Sequence, residues 1–197
     1  MGFEELLNIL VAVYRKTNQL FSGAIAATMS LTYQPPTGSV LLLTVSDLEG
    51  SGTITVSGTV AEEDDTEDFA FTSDGFKQGR KEFTNVSGIT RTGITSGTLK
   101  IESVSSTGAE LTGEYLIEED VKARIAEKKS LITVVIPGGS IRADLKMYCL
   151  AATDVLENDI IVSNTTRYIA ASVIEVQDYS EVHHKTVSLR LEALGAS

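Results

Sequence analysis

Hydrophobic and polar residues alternate with a period of two along most of this chain. In 53-TITVSGTV-60, Ile54 and Val56 share one face, with Thr53, Thr55 and Ser57 on the other. Leu99 and Ile101 oppose Lys100 and Glu102, and Val121, Ala123 and Ile125 oppose Lys122 and Arg124. Near the end, Val187, Leu189 and Leu191 oppose Thr186, Ser188, Arg190 and Glu192. Successive strand side chains point to opposite faces, so the pattern predicts strands with one buried face. Turn chemistry falls between them at 49-EGSG-52, 73-SDG-75, 105-SSTG-108, 137-PGG-139 and 163-SNTT-166. Strands at about ten-residue spacing, joined by such turns, predict an all-β sandwich or barrel. Helical spacing is confined to residues 3–10, where Phe3, Leu6, Leu7 and Leu10 share a face for one or two turns.

Charge divides the chain further. Residues 22–112 carry twelve acids against five bases, residues 113–197 thirteen against nine, and the first 21 residues two of each. The stretch 11-VAVYRKT-17 reads as a lone strand, and a lone strand needs a sheet. The nearest available is the C-terminal one. The expected organisation is therefore a leader and first strand in residues 1–21, an inserted β-domain in 22–112, and the remainder of the outer domain in 113–197.

The net charge of −11 disfavours a reader of nucleic acid, because counterion release needs Lys and Arg against phosphate, and no basic cluster is denser than Lys128–Lys129. The single cysteine, Cys149, excludes an internal disulfide and multi-cysteine metal cages. Its apolar setting, 147-MYCLA-151, suits a core residue. The apolar run near the start contains Glu4, Glu5 and Asn8 where a signal peptide needs basic and apolar residues, and no stretch approaches a membrane span. This predicts a cytoplasmic, non-secreted protein without membrane contact.

Candidate chemistry is sparse. His183 and His184 are the two histidines of the chain. At a strand entrance they are expected on opposite faces, which argues against one shared metal. The run 62-EEDDTED-68 lacks the spacing of an EF-hand loop and reads as a solvated turn before the strand that holds Phe69 and Phe71. There is no GxSxG elbow, and 137-PGGS-140 lacks the lysine and the strand-to-helix setting of a phosphate loop. The expectation is a protein that is not an enzyme, with no catalytic residue, metal or cofactor.

Two blocks of sequence carry a resemblance. The segments 5-ELLNILVAVYRKT-17, 113-GEYLIEEDVKARIAEKK-129, 144-DLKMYCLAATDVLENDIIV-162, 167-RYIAASVIEVQDY-179 and 181-EVHHKTVSLRLEA-193 follow one another in a distinctive order. In that order they resemble the head-completion (stopper, or head-closure) proteins of long-tailed bacteriophages. The middle section, with 52-GTITVSGTV-60, 69-FAFTSDG-75, 82-EFTNVSGI-89 and 97-GTLKI-101, is similar to the immunoglobulin-like β-sandwiches inserted into phage structural proteins. A minimal stopper lacks it.

The resemblance implies a small β-barrel-like domain made from both chain ends, with an inserted immunoglobulin-like sandwich. It implies a homo-oligomeric ring of six or twelve copies in the virion neck, assembled in the host cytoplasm. The ring would lie between a portal or adaptor ring and a tail terminator or tail tube, with non-specific contact to packaged DNA. The family's channel plug is a loop between the second and third barrel strands, which here is 128-KKSLITVVIPGGSIR-142. Its candidate residues are Lys129, Leu131, Ile132, Val134, Val135, Ile136, Pro137, Gly138 and Gly139. The plain reading of the same residues is a hairpin turning at 137–139. Acidic charge facing a ring lumen would repel the DNA backbone and let it slide. The alternatives are another phage structural part (adaptor, tail terminator or capsid decoration), or an immunoglobulin-like surface-binding module.

Overall fold

The structure, a computed structural model, describes residues 6–127, 133–136, 139–142, 145–178 and 181–192. In chain order the described strands are β1 (Ile9–Thr17), β2 (Gln19–Ala24), β3 (Thr28–Met29), β4 (Val40–Glu49), β5 (Gly52–Val60), β6 (Glu63–Phe71), β7 (Gly75–Gln78), β8 (Phe83–Thr92), β9 (Ser96–Val104), β10 (Gly113–Glu127), β11 (Thr133–Ile136), β12 (Gly139–Arg142), β13 (Leu145–Leu150), β14 (Ile160–Ser163), β15 (Thr166–Asp178) and β16 (Glu181–Leu191). The protein is all-β. It divides into two compact units, Met1–Lys16 with Glu114–Ser197, and Thr17–Gly113.

The first unit is a closed antiparallel barrel in the order β1-β10-β13-β16-β15-β14. β1 joins it by pairing Ala12, Val13 and Tyr14 with Val162, Ile161 and Ile160. Closure leaves no strand edge unpaired around the ring of strands. The interior is filled by Val11, Val13, Val121, Ala123, Met147, Cys149, Val155, Ile161, Ala170, Val187 and Leu189. Six strands enclose little space, which is why the small side chains of Ala123, Cys149 and Ala170 sit at the centre. Cys149 is fully buried, and burial pushes its thiol pKa up, away from the reactive thiolate.

Period two explains most of this, with local exceptions. Leu191 was expected to face inward with Val187 and Leu189, yet it is 68% exposed. It ends β16, opposite Tyr168 and one step beyond the core layer of Leu189. Of the helical face expected over residues 3–10, Leu6 lies in a 3₁₀ turn, whereas Ile9 and Leu10 already belong to β1. Inward Val11 and Val13 with outward Leu10 set a strand period there.

The second unit holds two four-stranded sheets, β2-β9-β4-β7 and β3-β8-β5-β6. Each buries one face: Leu20, Leu41, Leu43, Val45, Leu99 and Ile101 in the first, and Ile54, Val56, Phe69, Phe71, Val86 and Ile89 in the second. Residues 17–113 contain no helix, so the two apolar faces cover each other as in a sandwich. The chain changes sheet at almost every step, and β5–β6 is the one sequential pair within a sheet. Phe21, assigned by sequence to the first segment, pairs with Ile101 of β9 in this unit.

The acidic run is not the loop expected. Glu63–Phe71 is an edge strand, and the turn before it is Ala61–Glu62 alone, between the paired Val60 and Glu63. Both turn residues have positive φ, 48° and 71°, as a two-residue hairpin turn requires. Asp65 and Glu67 share the inward parity of Phe69 and Phe71, and each has a partner. Lys81 Nζ donates to Asp65 at 2.6 Å, and the backbone N–H groups of Arg80 and Lys81 donate to Glu67. On the other parity, Thr55 donates to Asp68 at 2.6 Å. Charge on an edge strand discourages pairing with another chain, so the run serves as a strand without an apolar partner on its open side.

Candidate functional site

Three features of the barrel unit carry the candidate residues. The first is the connection between β10 and β13. Those strands pair from Ala123↔Cys149 to Glu127↔Leu145, and the connection holds a hairpin of its own. β11 and β12 pair Thr133↔Arg142, Val134↔Ile141, Val135↔Ser140 and Ile136↔Gly139, as a separate two-stranded sheet. Of the sequence-derived plug residues, Val134, Val135, Ile136 and Gly139 therefore lie on this hairpin. Lys129, Leu131, Ile132, Pro137 and Gly138 lie outside the described residues. An isolated two-stranded hairpin is marginal in water, and the sequence here is rich in β-branched apolar residues. Such a hairpin calls for a surface to lie against.

The second feature is a pair of ionic clamps that hold the first strand to the rest of the barrel. Arg15 on β1 donates from Nε and Nη2 to the two carboxylate oxygens of Asp159, each at 2.9 Å, and from Nη2 to Asp154 at 3.1 Å. Asp159 also accepts the Leu156 N–H at 2.8 Å. It is 2% exposed, yet each of its oxygens has a donor, the condition for burying a charge. The hydrogen bond to Asp159 is the main cause that raises the Arg15 pKa. In the other clamp, Arg167 donates to Glu114 at 2.7 Å and to Glu192 at 2.6 Å, and Lys16 donates to Glu192 at 3.0 Å. β1, β10, β15 and the end of β16 are tied together there. The Arg167 bond, then the Lys16 bond, holds the Glu192 carboxyl below its ordinary value of 4.5.

The third feature is the histidine pair. Neither residue stands before the strand; both lie within β16. Nor do the rings point apart. Val176 pairs with His184 and Gln177 with Val182, so one step on β15 spans two on β16. His183 is the extra residue of a bulge, and a bulge breaks alternation. The two Nδ1 atoms lie 3.0 Å apart, with the rings edge to face at 84°. Sequence periodicity could not show this, because a bulge leaves no mark in the apolar pattern.

Among the described residues, no group of three or more His, Cys, Asp or Glu is placed to hold a metal ion. No helix among them is long and apolar enough to cross a membrane. Comparison with protein-family models, with curated proteins and with solved structures finds no match to this chain.

Proposed function

We propose that the protein is a non-enzymatic structural component of the neck of a long-tailed bacteriophage, a ring-forming head-completion protein. In this reading it closes the head channel after DNA packaging and joins head to tail. The observation that carries it is the order of elements in the barrel unit. One strand, β1, precedes the sandwich and five follow it, and an apolar hairpin occupies the connection between the second and third barrel strands. That connection is where the resemblance puts the channel plug.

The physical argument runs through the hairpin and the core. The barrel interior is packed with side chains, so DNA would pass through the lumen of a ring of copies and not through the barrel itself. The β11–β12 hairpin would pack against neighbouring copies in the ring. The sandwich would then be an inserted module. It is immunoglobulin-like in its two-sheet architecture and not in strand order, since β2-β9-β4-β7 and β3-β8-β5-β6 differ from the ABED and CFG sheets of that fold.

One observation favours the second reading, a surface-binding module. Phe76, on the short edge strand β7, is 71% exposed, and an exposed aromatic ring offers a stacking platform.

Gold labelling of purified particles with an antibody to this chain tests the proposal. Label at the head–tail junction is expected, with particle averaging giving the copy number. Label over the whole capsid would replace the neck reading with a decoration role. Label absent from particles, with the protein found on cells, would put the binding module in its place.

A further inference from the structure

Two facts about β16 combine at its start. The bulge at His183 brings two consecutive imidazoles together, and their Nδ1 atoms are 3.0 Å apart. We propose that His183 and His184 form a chelating site for a divalent transition-metal cation of tetragonal preference, of the Cu²⁺ or Ni²⁺ class, held through both Nδ1 atoms. This site is independent of the neck reading.

The spacing is the argument. Two imidazole nitrogens bound at about 2.1 Å to one cation and at right angles to each other are about 3.0 Å apart. At a tetrahedral angle the same bonds would place them about 3.4 Å apart. The pair therefore fits neighbouring corners of a square-planar or octahedral shell, the geometry in which Cu²⁺ and Ni²⁺ take nitrogen ligands. Neighbouring ring planes at 84° also let two ligands converge on one point after a small rotation about the ring torsions.

The surroundings support the assignment. His184 is held by its neighbours: it pairs with Val176 on one side and Leu150 on the other, and its ring lies 6.2 Å from that of Tyr148. His183 is exposed, which gives a cation entry from solvent. Burial and then the neighbouring His183 lower the His184 pKa. Among the described residues, two nearby charges are already engaged. Lys185 donates to the Thr153 carbonyl at 2.7 Å and lies 3.9 Å from Glu175. In the free protein one Nδ1 donates a proton to the other. On binding both rings become Nε2–H tautomers, and the cation takes the place of that proton.

The test is Cu²⁺ titration of the full-length protein, followed by electron paramagnetic resonance. One Cu²⁺ per chain is expected, with an axial spectrum split by two equatorial nitrogens. His183→Gln, at the exposed position, should weaken binding about tenfold or more, and His184→Gln likewise. Affinity should fall as pH drops through the histidine range, because protons and metal compete for the same lone pairs. Thermal unfolding of each variant separates loss of ligand from loss of fold, and His183→Gln alone decides the matter if His184→Gln unfolds. Unchanged stoichiometry and splitting in the H183Q/H184Q double variant would overturn the proposal. So would a wild-type spectrum with one nitrogen, or no bound copper in molar excess.

Discussion

Arg15 and Asp159 stand 144 residues apart in the chain and meet through two parallel hydrogen bonds, Nε to Oδ1 and Nη2 to Oδ2, both 2.9 Å. The pair joins the first barrel strand to the entry of β14, the strand with which β1 is paired. Since β1 reaches the barrel across the whole second unit in sequence, this contact is where its register is held. Removing Arg15 leaves the buried Asp159 carboxylate with the Leu156 N–H as its donor. Arg15→Ala should destabilise the barrel unit by about 3 kcal/mol, measured by urea unfolding. Arg15→Met combined with Asp159→Leu should cost much less than the two single changes together.

The turn between β5 and β6 is formed by Ala61 and Glu62, both with positive φ. Neither residue type favours that region, whereas Asn and Gly do. The double substitution Ala61→Asn, Glu62→Gly should therefore stabilise the sandwich by about 1 kcal/mol. Loss of stability in denaturant unfolding would contradict the left-handed turn.

Gly52 opens β5 where two backbones approach closely. A Cβ placed there would lie 1.9 Å from the Thr92 carbonyl oxygen, a contact that only backbone movement relieves. Gly52→Ala should cost about 3 kcal/mol in the sandwich. Gly88→Ala, where nothing lies within 4 Å of the added carbon, serves as the control and should change stability far less.

Acid should loosen the clamp at Glu192. Its carboxyl is held below the ordinary value of 4.5 by Arg167 and Lys16. A depressed carboxylate stabilises the fold above its unfolded value and loses that contribution as pH falls through the folded one. Unfolding free energy should thus decline from about pH 4.5 downward, and Glu192→Gln should reduce this dependence while lowering stability at pH 7. An identical pH profile for variant and parent would remove the clamp from the account.

The neck reading makes its own demand on the hairpin. Val134→Ser with Val135→Ser should leave the closed barrel folded, as read by circular dichroism, because both residues belong to the separate β11–β12 sheet. Under that reading, particles carrying the variant lose packaged DNA more readily. Retention of DNA equal to that of the parent would take the gating role away from these residues.

Much of the molecule follows from local pattern. The alternation at Ile54 and Val56, at Leu99 and Ile101, and at Val187 and Leu189 names core residues that are fully buried, because a strand has no other way to separate apolar from polar side chains. The turns at 49–52 and 163–166 fall between strands as their chemistry requires. The need of β1 for a sheet also follows from sequence, since an unpaired strand cannot satisfy its backbone.

What tertiary structure decided is everything that depends on partners distant in the chain. The acidic residues 63–68 became an edge strand because β5 offers hydrogen bonds along the full length of that segment, which outweighs the self-repulsion that predicts a loop. Leu10 became part of a strand because its neighbours Val11 and Val13 fill the barrel. His183 and His184 face each other because β15 and β16 fall out of register by one residue between Val176 and Gln177. Periodicity reports which residues prefer burial. Register, closure and bulges are set by which strands meet, and that is a property of the folded chain as a whole.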